Sequence, residues 1–205
     1  MAAATSCGAE FAVGCSYKYL NGGPGAPAFI YARPDIIDSV QPALAGWLGH
    51  EAPFAMEPGY RPAMSTERLR VGTPPILQLA VLQEALGVWD GVDMHELRAA
   101  SVRLSQRFIA EVEARCPQLV LASPRDPAQR GSQVSFAFAH GYAAIQALID
   151  RGVIGDFRAP DIMRFGFTPL YLDEEDVTRA ARILQEVLDS EAWRDPKYQT
   201  RSRVT

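Results

Sequence analysis

Lysine is the residue type that this sequence most clearly lacks. The chain has 205 residues and 20 basic side chains, yet Lys18 and Lys197 are its only lysines. Arginine keeps its proton in essentially any protein environment, so chemistry that needs a free side-chain amine has only these two candidates. Lys197 lies in a polar stretch, residues 194–203, whereas Lys18 follows an apolar run. Amine chemistry, if the chain performs any, is therefore expected at Lys18.

The sequence also has few cysteines, a small net charge and no long apolar runs. The three cysteines are far apart and lack metal-ligand spacing, which favours a reducing compartment with Cys15 and Cys116 as small buried side chains and predicts no metal site. A net charge of -4 gives no reason to expect nucleic acid or an anionic membrane as partner. No run reaches the roughly 18 apolar residues of a membrane helix, and the first ten residues do not resemble a signal peptide. A cytoplasmic location is expected.

Hydrophobic patterning indicates an α/β protein. Alternating and short apolar runs predict strands, and helical spacing with capping residues predicts helices. Asp93 begins a capping-box-like start of the longest helix, in which an apolar stripe runs from Leu97 to Val112, and the last helix has an acidic first turn. The predicted strands are residues 11–16, 28–31, 119–121, 134–138, 153–154 and 162–167, and the predicted helices are 34–40, 73–89, a long one from 93, 142–151 and 174–193. Residues 11–72 offer two strands and a long loop, which cannot bury a core alone. This imbalance predicts that sequence is missing upstream.

The segment around Lys18 carries the first chemical signal. Residues 14–28 read GCSYKYLNGGPGAPA, so the lysine ends an apolar strand between two tyrosines and before a glycine-rich turn. Partial desolvation would lower the pKa of such an ammonium group, and glycines would let backbone approach a bulky ligand. A structural lysine at a strand end is the competing interpretation, and the spacing alone favours it.

The same fifteen residues closely resemble the cofactor-lysine segment of kynureninases. The resemblance implies that Lys18 binds pyridoxal phosphate covalently. It also implies that Tyr17 hydrogen-bonds the cofactor phosphate and takes part in proton transfer.

A second segment, residues 45–51, reads AGWLGHE. A tryptophan between glycines is usually a packing anchor, and a lone histidine is usually structural. The stretch is similar to the Gly-Trp-x-Gly-His segment of kynureninases. The resemblance implies that Trp47 donates its indole N–H to the cofactor phosphate, and it leaves His50 without a role.

A third segment, residues 70–77, reads RVGTPPIL and predicts a helix that begins at Thr73. A helix N-terminus with a hydroxyl suits a phosphate, and an ordinary N-cap is an equally good interpretation. In kynureninases this loop lies at the cofactor phosphate of the neighbouring subunit, so the resemblance implies that Thr73 is a phosphate contact across a dimer interface. Threonine here, where some relatives carry asparagine, favours kynurenine over its ring-hydroxylated form.

The fourth segment, residues 152–171, places Arg164 in the middle of an apolar strand. An unpaired guanidinium would be costly there, and the carboxylate of an amino-acid substrate would resolve the cost. A pair with Asp156 or Asp161 would resolve it equally well. The resemblance implies that Arg164 binds the substrate α-carboxylate. Arg158 is a weaker candidate for this role and is expected to be structural.

By this resemblance the chain is the C-terminal half of a fold type I, aspartate aminotransferase-like enzyme. Residues 1–72 would be the remnant of the large, cofactor-binding domain, 73–92 an interface helix, 93–193 a complete small α/β domain and 194–205 a polar tail. The whole enzyme would be a homodimer of tryptophan catabolism that hydrolyses L-kynurenine to anthranilate and L-alanine.

Two alternatives to an active kynureninase remain open. The half implied to be missing would hold the phosphate loop and the Asp partner of the cofactor ring nitrogen, so we expect a truncated product or one piece of a split gene, inactive alone. A non-catalytic remnant is therefore the first alternative. A cysteine desulfurase-like lyase is the second, although those enzymes usually carry histidine at the position of Tyr17.

Overall fold

The structure, a computed structural model, describes residues 7–200. The chain divides into two compact units, one extending to Asp90 and the other beginning at Gly91. The first contains a two-stranded sheet and the second a four-stranded sheet, both with helices, which confirms the predicted α/β class. Within the described residues no helix is long and apolar enough to cross a membrane.

The first unit begins with a hairpin of two antiparallel strands, β1 (Phe11–Cys15) and β2 (Ala28–Ala32). Gly14 lies opposite Phe29, whose ring crosses the glycine so closely that an added Cβ would be 2.4 Å from Phe29 Cζ. A side chain at this position of the strand would therefore have to displace the half-exposed Phe29 ring.

A long segment of turns follows the hairpin, as its glycine and proline content predicts. The helix predicted at residues 34–40 is only a single 3-10 turn, Ile37–Ser39. Two further 3-10 turns, Trp47–Gly49 and Ser65–Leu69, are the other regular elements before the first α-helix.

The first α-helix, α1 (Ile76–Leu86), continues into a 3-10 turn at Gly87–Trp89. It begins three residues later than predicted, and no side chain caps it, so the prediction that Thr73 is its N-cap was wrong. A residue before proline is disfavoured in the helical conformation, and two consecutive prolines therefore keep Thr73 and Pro74 outside the helix. No residue of α1 is buried.

The second unit packs helices on a four-stranded antiparallel sheet, in which residues 120–121, 133–137, 162–166 and 156–158 lie side by side in that order. Its first helix is 22 residues long and is capped by Asp93, as predicted. The elements in chain order are α2 (Met94–Arg115), β3 (Val120–Leu121), β4 (Gln133–Ala137), α3 (Gly141–Ile149), β5 (Asp156–Arg158), β6 (Ile162–Gly166), α4 (Glu174–Asp189) and α5 (Pro196–Gln199).

An aromatic cluster forms the centre of this unit. Phe108 of α2 is 1% exposed and lies between the rings of Phe165 and Phe167, at centroid distances of 5.0 and 5.3 Å. Apolar residues of α3 and α4 complete the core. The helical stripe predicted for α2 is therefore the face that this helix buries.

Two details differ from the predicted pattern of the second unit. Residues 153–154 form no strand, because Val153 N–H bonds Leu148 O and closes the end of α3, while Ile154 is 85% exposed. On the side of β6 away from β4, the pairing strand is instead β5. The last long helix ends at Asp189 rather than near residue 193.

The cysteine prediction is half confirmed. Cys116 is buried, but Cys15 is exposed, because no layer of the described chain covers its face of the hairpin. Lys197, which was expected to lie in a polar tail, is held against the rest of the second unit. Its Nζ donates a hydrogen bond to the Asp150 carboxylate at 3.0 Å, and the adjacent Tyr198 is buried against α3.

Candidate functional site

Lys18 lies on the turn that follows β1. Its carbonyl accepts a hydrogen bond from Asn21 N–H at 2.9 Å, and its Nζ lies 5.0 Å from the centroid of the Tyr17 ring. Both side chains are exposed, so the desolvation predicted for Lys18 is not seen among the described residues. The turn itself is anchored by Ser16, which is buried and whose hydroxyl donates to the carbonyl of Pro27.

The Lys18 turn packs against the α1 region of the same unit. A Cβ added to Gly22 would lie 3.1 Å from Leu82 Cδ1 and 2.9 Å from Ser16 O, so only glycine permits this approach. Tyr19 contacts Trp89 just beyond α1, with ring centroids 5.3 Å apart. The glycine-rich turn therefore fixes the lysine relative to α1.

Trp47 lies on a backbone segment that presses against the residues preceding Thr73. A Cβ on Gly46 would lie 1.7 Å from Val71 O, and one on Gly72 would lie 3.7 Å from Trp47 Nε1. The indole nitrogen is therefore beside the residue that precedes Thr73. The structure thus brings together two of the predicted phosphate-binding residues, and both side chains are exposed.

Tyr60 and Arg68 join these two segments, and the sequence reasoning missed both. The Tyr60 hydroxyl lies 2.9 Å from Gly49 O and 3.3 Å from Arg68 O. Arg68 is 4% exposed, and its guanidinium donates to Ala63 O and Asp38 O at 2.9 and 2.6 Å. Three arginines, Arg61, Arg68 and Arg70, lie in this run of turns, and no local signal marks Arg68 as the buried one.

His50 ends the Trp47 segment and is buried. Its Nδ1 accepts a hydrogen bond from Ala52 N–H at 2.9 Å, while its Nε2 has no partner among the described residues. The acceptor role of Nδ1 makes this nitrogen the unprotonated one. In residues 7–200 no group of His, Cys, Asp or Glu side chains is placed to hold a metal ion.

Arg164 belongs to the second unit and lies on β6. Its Nη2 pairs with the Asp156 carboxylate on the neighbouring strand β5, which is one of the two pairings that the sequence left open. The buried Nε has no acceptor among the described residues. Arg158 contacts the same carboxylate at 3.4 Å but is largely exposed, consistent with a structural role.

Comparison with solved structures defines the class of fold. The cysteine desulfurase of Thermococcus onnurineus NA1 covers 91% of this chain at a TM-score of 0.75 and 19% identity, and the chain covers 49% of it. The cystine C–S lyase C-DES covers 89% at 0.73 and 20% identity, with 48% of that chain covered. A C-DES variant described with glycine covalently linked to its PLP cofactor covers 79% at 0.61 and 22% identity, with 43% of that chain covered. The predicted fold type I architecture is therefore confirmed.

Sequence comparison identifies the family within that class. Residues 97–184 match the model described as the kynureninase C-terminal domain. Kynureninase of Pseudomonas fluorescens is 51% identical over 200 residues, and kynureninase of Burkholderia mallei is 49% identical over 199 residues. The chain therefore matches the C-terminal part of kynureninases. At about 20% identity the likeness to desulfurases shows the shared fold alone.

The chain spans about half the length of the curated relatives that it matches. These matches cover 97% and 96% of this chain but only 48% of each relative. A match over 97% of 205 residues necessarily includes the four segments that carry Lys18, Trp47, Thr73 and Arg164.

Proposed function

We propose that this chain contributes the cofactor lysine and the substrate-binding arginine of a kynureninase. Such an enzyme hydrolyses L-kynurenine to anthranilate and L-alanine with pyridoxal phosphate. The 51% identity to the Pseudomonas fluorescens kynureninase over 97% of the chain carries this proposal. Because the relatives are about twice as long, we assign the activity to the chain together with the part of the enzyme that it does not span. We further propose that the enzyme is a cytoplasmic homodimer.

The residues of the first unit fit a phosphate-bearing cofactor. The indole N–H of Trp47 lies beside Gly72, Thr73 is an exposed residue, and α1 begins three residues after it. Indole, hydroxyl and the N–H groups of a helix N-terminus are all donors that suit a phosphate. Lys18 lies on the turn that packs against the same helix. We therefore propose that Trp47 and Thr73 hold the phosphate of one cofactor, that Thr73 does so across a dimer interface, and that Lys18 holds the cofactor carbonyl carbon.

Bound pyridoxal phosphate would supply the electron sink that this C–C bond cleavage needs. In our proposal the Lys18 amine removes the proton from the substrate Cα, and Tyr17 supplies a proton to the alanyl product. The neighbouring positions of these two side chains, 5.0 Å between amine and ring centroid, allow them to act on the same substrate.

Arg164 binds the α-carboxylate of the substrate in this proposal. Asp156 accepts a hydrogen bond from Nη2 of the Arg164 guanidinium. The buried Nε of Arg164 still lacks an acceptor among the described residues. A carboxylate offers two oxygens and can satisfy both Nε and a terminal nitrogen. The unsatisfied donor is therefore what supports a substrate role beyond the Asp156 pair.

Thr73 contributes to substrate choice as well as to phosphate binding in this proposal. We propose that threonine favours kynurenine over its ring-hydroxylated form. The exchange Thr73→Asn in an active preparation should shift the ratio of the two specificity constants toward the hydroxylated substrate. An unchanged ratio would refute this part of the proposal.

Borohydride trapping on the purified chain tests the cofactor site. The chain is incubated with pyridoxal phosphate, reduced, and mapped by mass spectrometry. Lys197 is an internal control, because the hydroxyl of Tyr198 and the carboxylate of Asp150 raise the pKa of its amine and keep it protonated. Selective labelling of Lys18, absent in Lys18→Arg, supports the proposal, and kynurenine turnover is then measured. Equal labelling of the two lysines, or none, would mean that this chain has no cofactor site of its own.

A further inference from the structure

The two proposed phosphate donors of the first unit lie on separate segments of loop. Trp47 belongs to residues 46–50, which we call the tryptophan segment, and Thr73 follows residues 68–72, which we call the threonine segment. Loop segments do not keep two donors in register unless specific bonds hold them. The bonds between these segments therefore decide whether Trp47 and Thr73 can serve one ligand.

The Gly49 carbonyl is the point where those bonds meet. It accepts a hydrogen bond from Ala63 N–H at 2.8 Å and lies 2.9 Å from the Tyr60 hydroxyl. The same hydroxyl lies 3.3 Å from Arg68 O, so it contacts one carbonyl of each segment. Gly49 itself must be glycine, since a Cβ there would be 2.5 Å from Arg70 O.

Arg68 anchors the start of the threonine segment through its side chain. Its buried guanidinium donates to Ala63 O at 2.9 Å, to Asp38 O at 2.6 Å and to Val40 O at 3.0 Å. Ala63 thus receives a bond from Arg68 and gives one to Gly49. Tyr60 contacts the two segments directly through its hydroxyl.

We propose that Tyr60 is a positioning residue of the cofactor site, whose hydroxyl holds the tryptophan segment against the threonine segment. The inference rests on the proposed function only in that the two donors serve one phosphate. It assigns to Tyr60 an indirect role, because its hydroxyl contacts protein carbonyls and binding is affected through Trp47.

The test compares Tyr60→Phe with Tyr142→Phe in the full chain. Tyr142 is a matched control, since its hydroxyl also donates to a backbone carbonyl, Thr200 O at 3.2 Å, but in the second unit. The pyridoxal phosphate concentration for half-maximal labelling of Lys18 should rise about fivefold in Tyr60→Phe, the effect of losing one hydrogen bond. The labelling yield at saturation should not change, because the amine is untouched, and Tyr142→Phe should match the wild type.

Fluorine NMR of fluorotryptophan-labelled protein gives a readout that does not depend on the cofactor. Tyr60→Phe should shift or broaden the Trp47 resonance and leave that of Trp193, which lies in the second unit, unchanged. Gly46→Ala provides a second route, because φ of -141° permits alanine while the new Cβ would meet Val71 O. It should cause the same loss of affinity without altering Tyr60.

The labelling titration and the fluorine NMR experiment distinguish a failure of the proposed function from a failure of the positioning role. If the wild type does not bind pyridoxal phosphate, the proposed function fails, and an unchanged Trp47 resonance in Tyr60→Phe would still refute the positioning role. If the wild type binds, then wild-type affinity in both Tyr60→Phe and Gly46→Ala would refute it as well.

Discussion

At the scale of single residues, burial should make the thiol of Cys116 less reactive than that of Cys15. Cys116 is 1% exposed, and burial, with a smaller contribution from Asp189, raises the pKa of its thiol to about 11. Thiolate is the reactive form, so Cys116 should resist iodoacetamide at about pH 8 while the exposed Cys15 is alkylated. Mass spectrometry of the native protein after a short pulse measures the difference. Both cysteines should react in denaturant, and equal native rates would contradict the prediction.

The guanidinium of Arg164 is the residue-scale test of substrate binding. Lysine at this position keeps the charge but loses the two-pronged donor geometry. In a preparation that turns over kynurenine, Arg164→Lys should raise KM about tenfold or more, the effect of losing one charge-assisted hydrogen bond. Arg158→Lys is the matched control, because Arg158 contacts the same Asp156 from an exposed position. Equal effects of the two exchanges would assign both arginines to the structure of β5 and β6.

The site residues that we propose from the sequence are those whose signal is local. Lys18 stands out because lysine is almost absent, and Trp47 and Thr73 stand in short distinctive segments. Tyr60 and Arg68 could not be found this way, since their bonds reach carbonyls up to 30 residues away. Cys15 was predicted to be buried because an apolar strand usually has a layer packed over it, and no described residue provides one.

At the scale of elements, Asp93 gives α2 a pH-dependent cap. Its carboxylate accepts hydrogen bonds from Glu96 N–H and His95 N–H, which lower its pKa below the ordinary value of 3.8. A lowered folded-state pKa stabilises the protein above pH 3.8, and this contribution is lost as the pH falls through the folded-state value. The unfolding midpoint should therefore fall more steeply with acid in the wild type than in Asp93→Asn, whose amide oxygen caps without titrating. Parallel acid profiles would contradict this assignment.

Phe108 carries the packing of α2 on the sheet. Truncation at a fully buried phenylalanine leaves a cavity, so Phe108→Ala should lower the free energy of unfolding by about 3–5 kcal/mol. Denaturant titration followed by the fluorescence of Trp193, which is buried in the same core, measures the loss. Val120→Ala on the 65% exposed β3 position is the control and should cost no more than about 0.5 kcal/mol. A small effect at Phe108 would mean that the second unit is loosely packed.

Elements with caps and strong periodicity were predictable, and short ones were not. The Asp93 cap and the apolar stripe placed α2 correctly, and the acidic first turn placed α4, where Asp173 forms a capping box with Asp176. The three-residue strand β5 was missed, because it has one inward residue, Phe157, and two charged ones. Its place in the sheet depends on pairing with β6, which local pattern does not encode.

At the scale of the whole molecule, the two units differ in how much apolar surface they bury. The second encloses its aromatic cluster, whereas the first leaves both its hairpin and α1 uncovered by described residues. The fold class could be predicted from pattern alone, but the architecture came from family resemblance. Residues 11–72 do not contain enough regular structure to define a layered domain.

The apolar surface of the first unit predicts how residues 1–205 behave when prepared alone. Val13 is 79% exposed on the hairpin and Leu77 is 80% exposed on α1, and in the relatives about half of the protein lies outside the region matched by this chain. Large exposed apolar patches drive association, so the protein should bind a hydrophobic dye and self-associate in sedimentation velocity. Val13→Lys with Leu77→Lys should reduce both signals, while Ile154→Lys, which alters an equally exposed residue of the second unit, should not. A monodisperse wild-type monomer that binds no dye would show that these apolar surfaces do not cause association. Equal effects of the two sets of exchanges would show that the self-associating surface lies elsewhere.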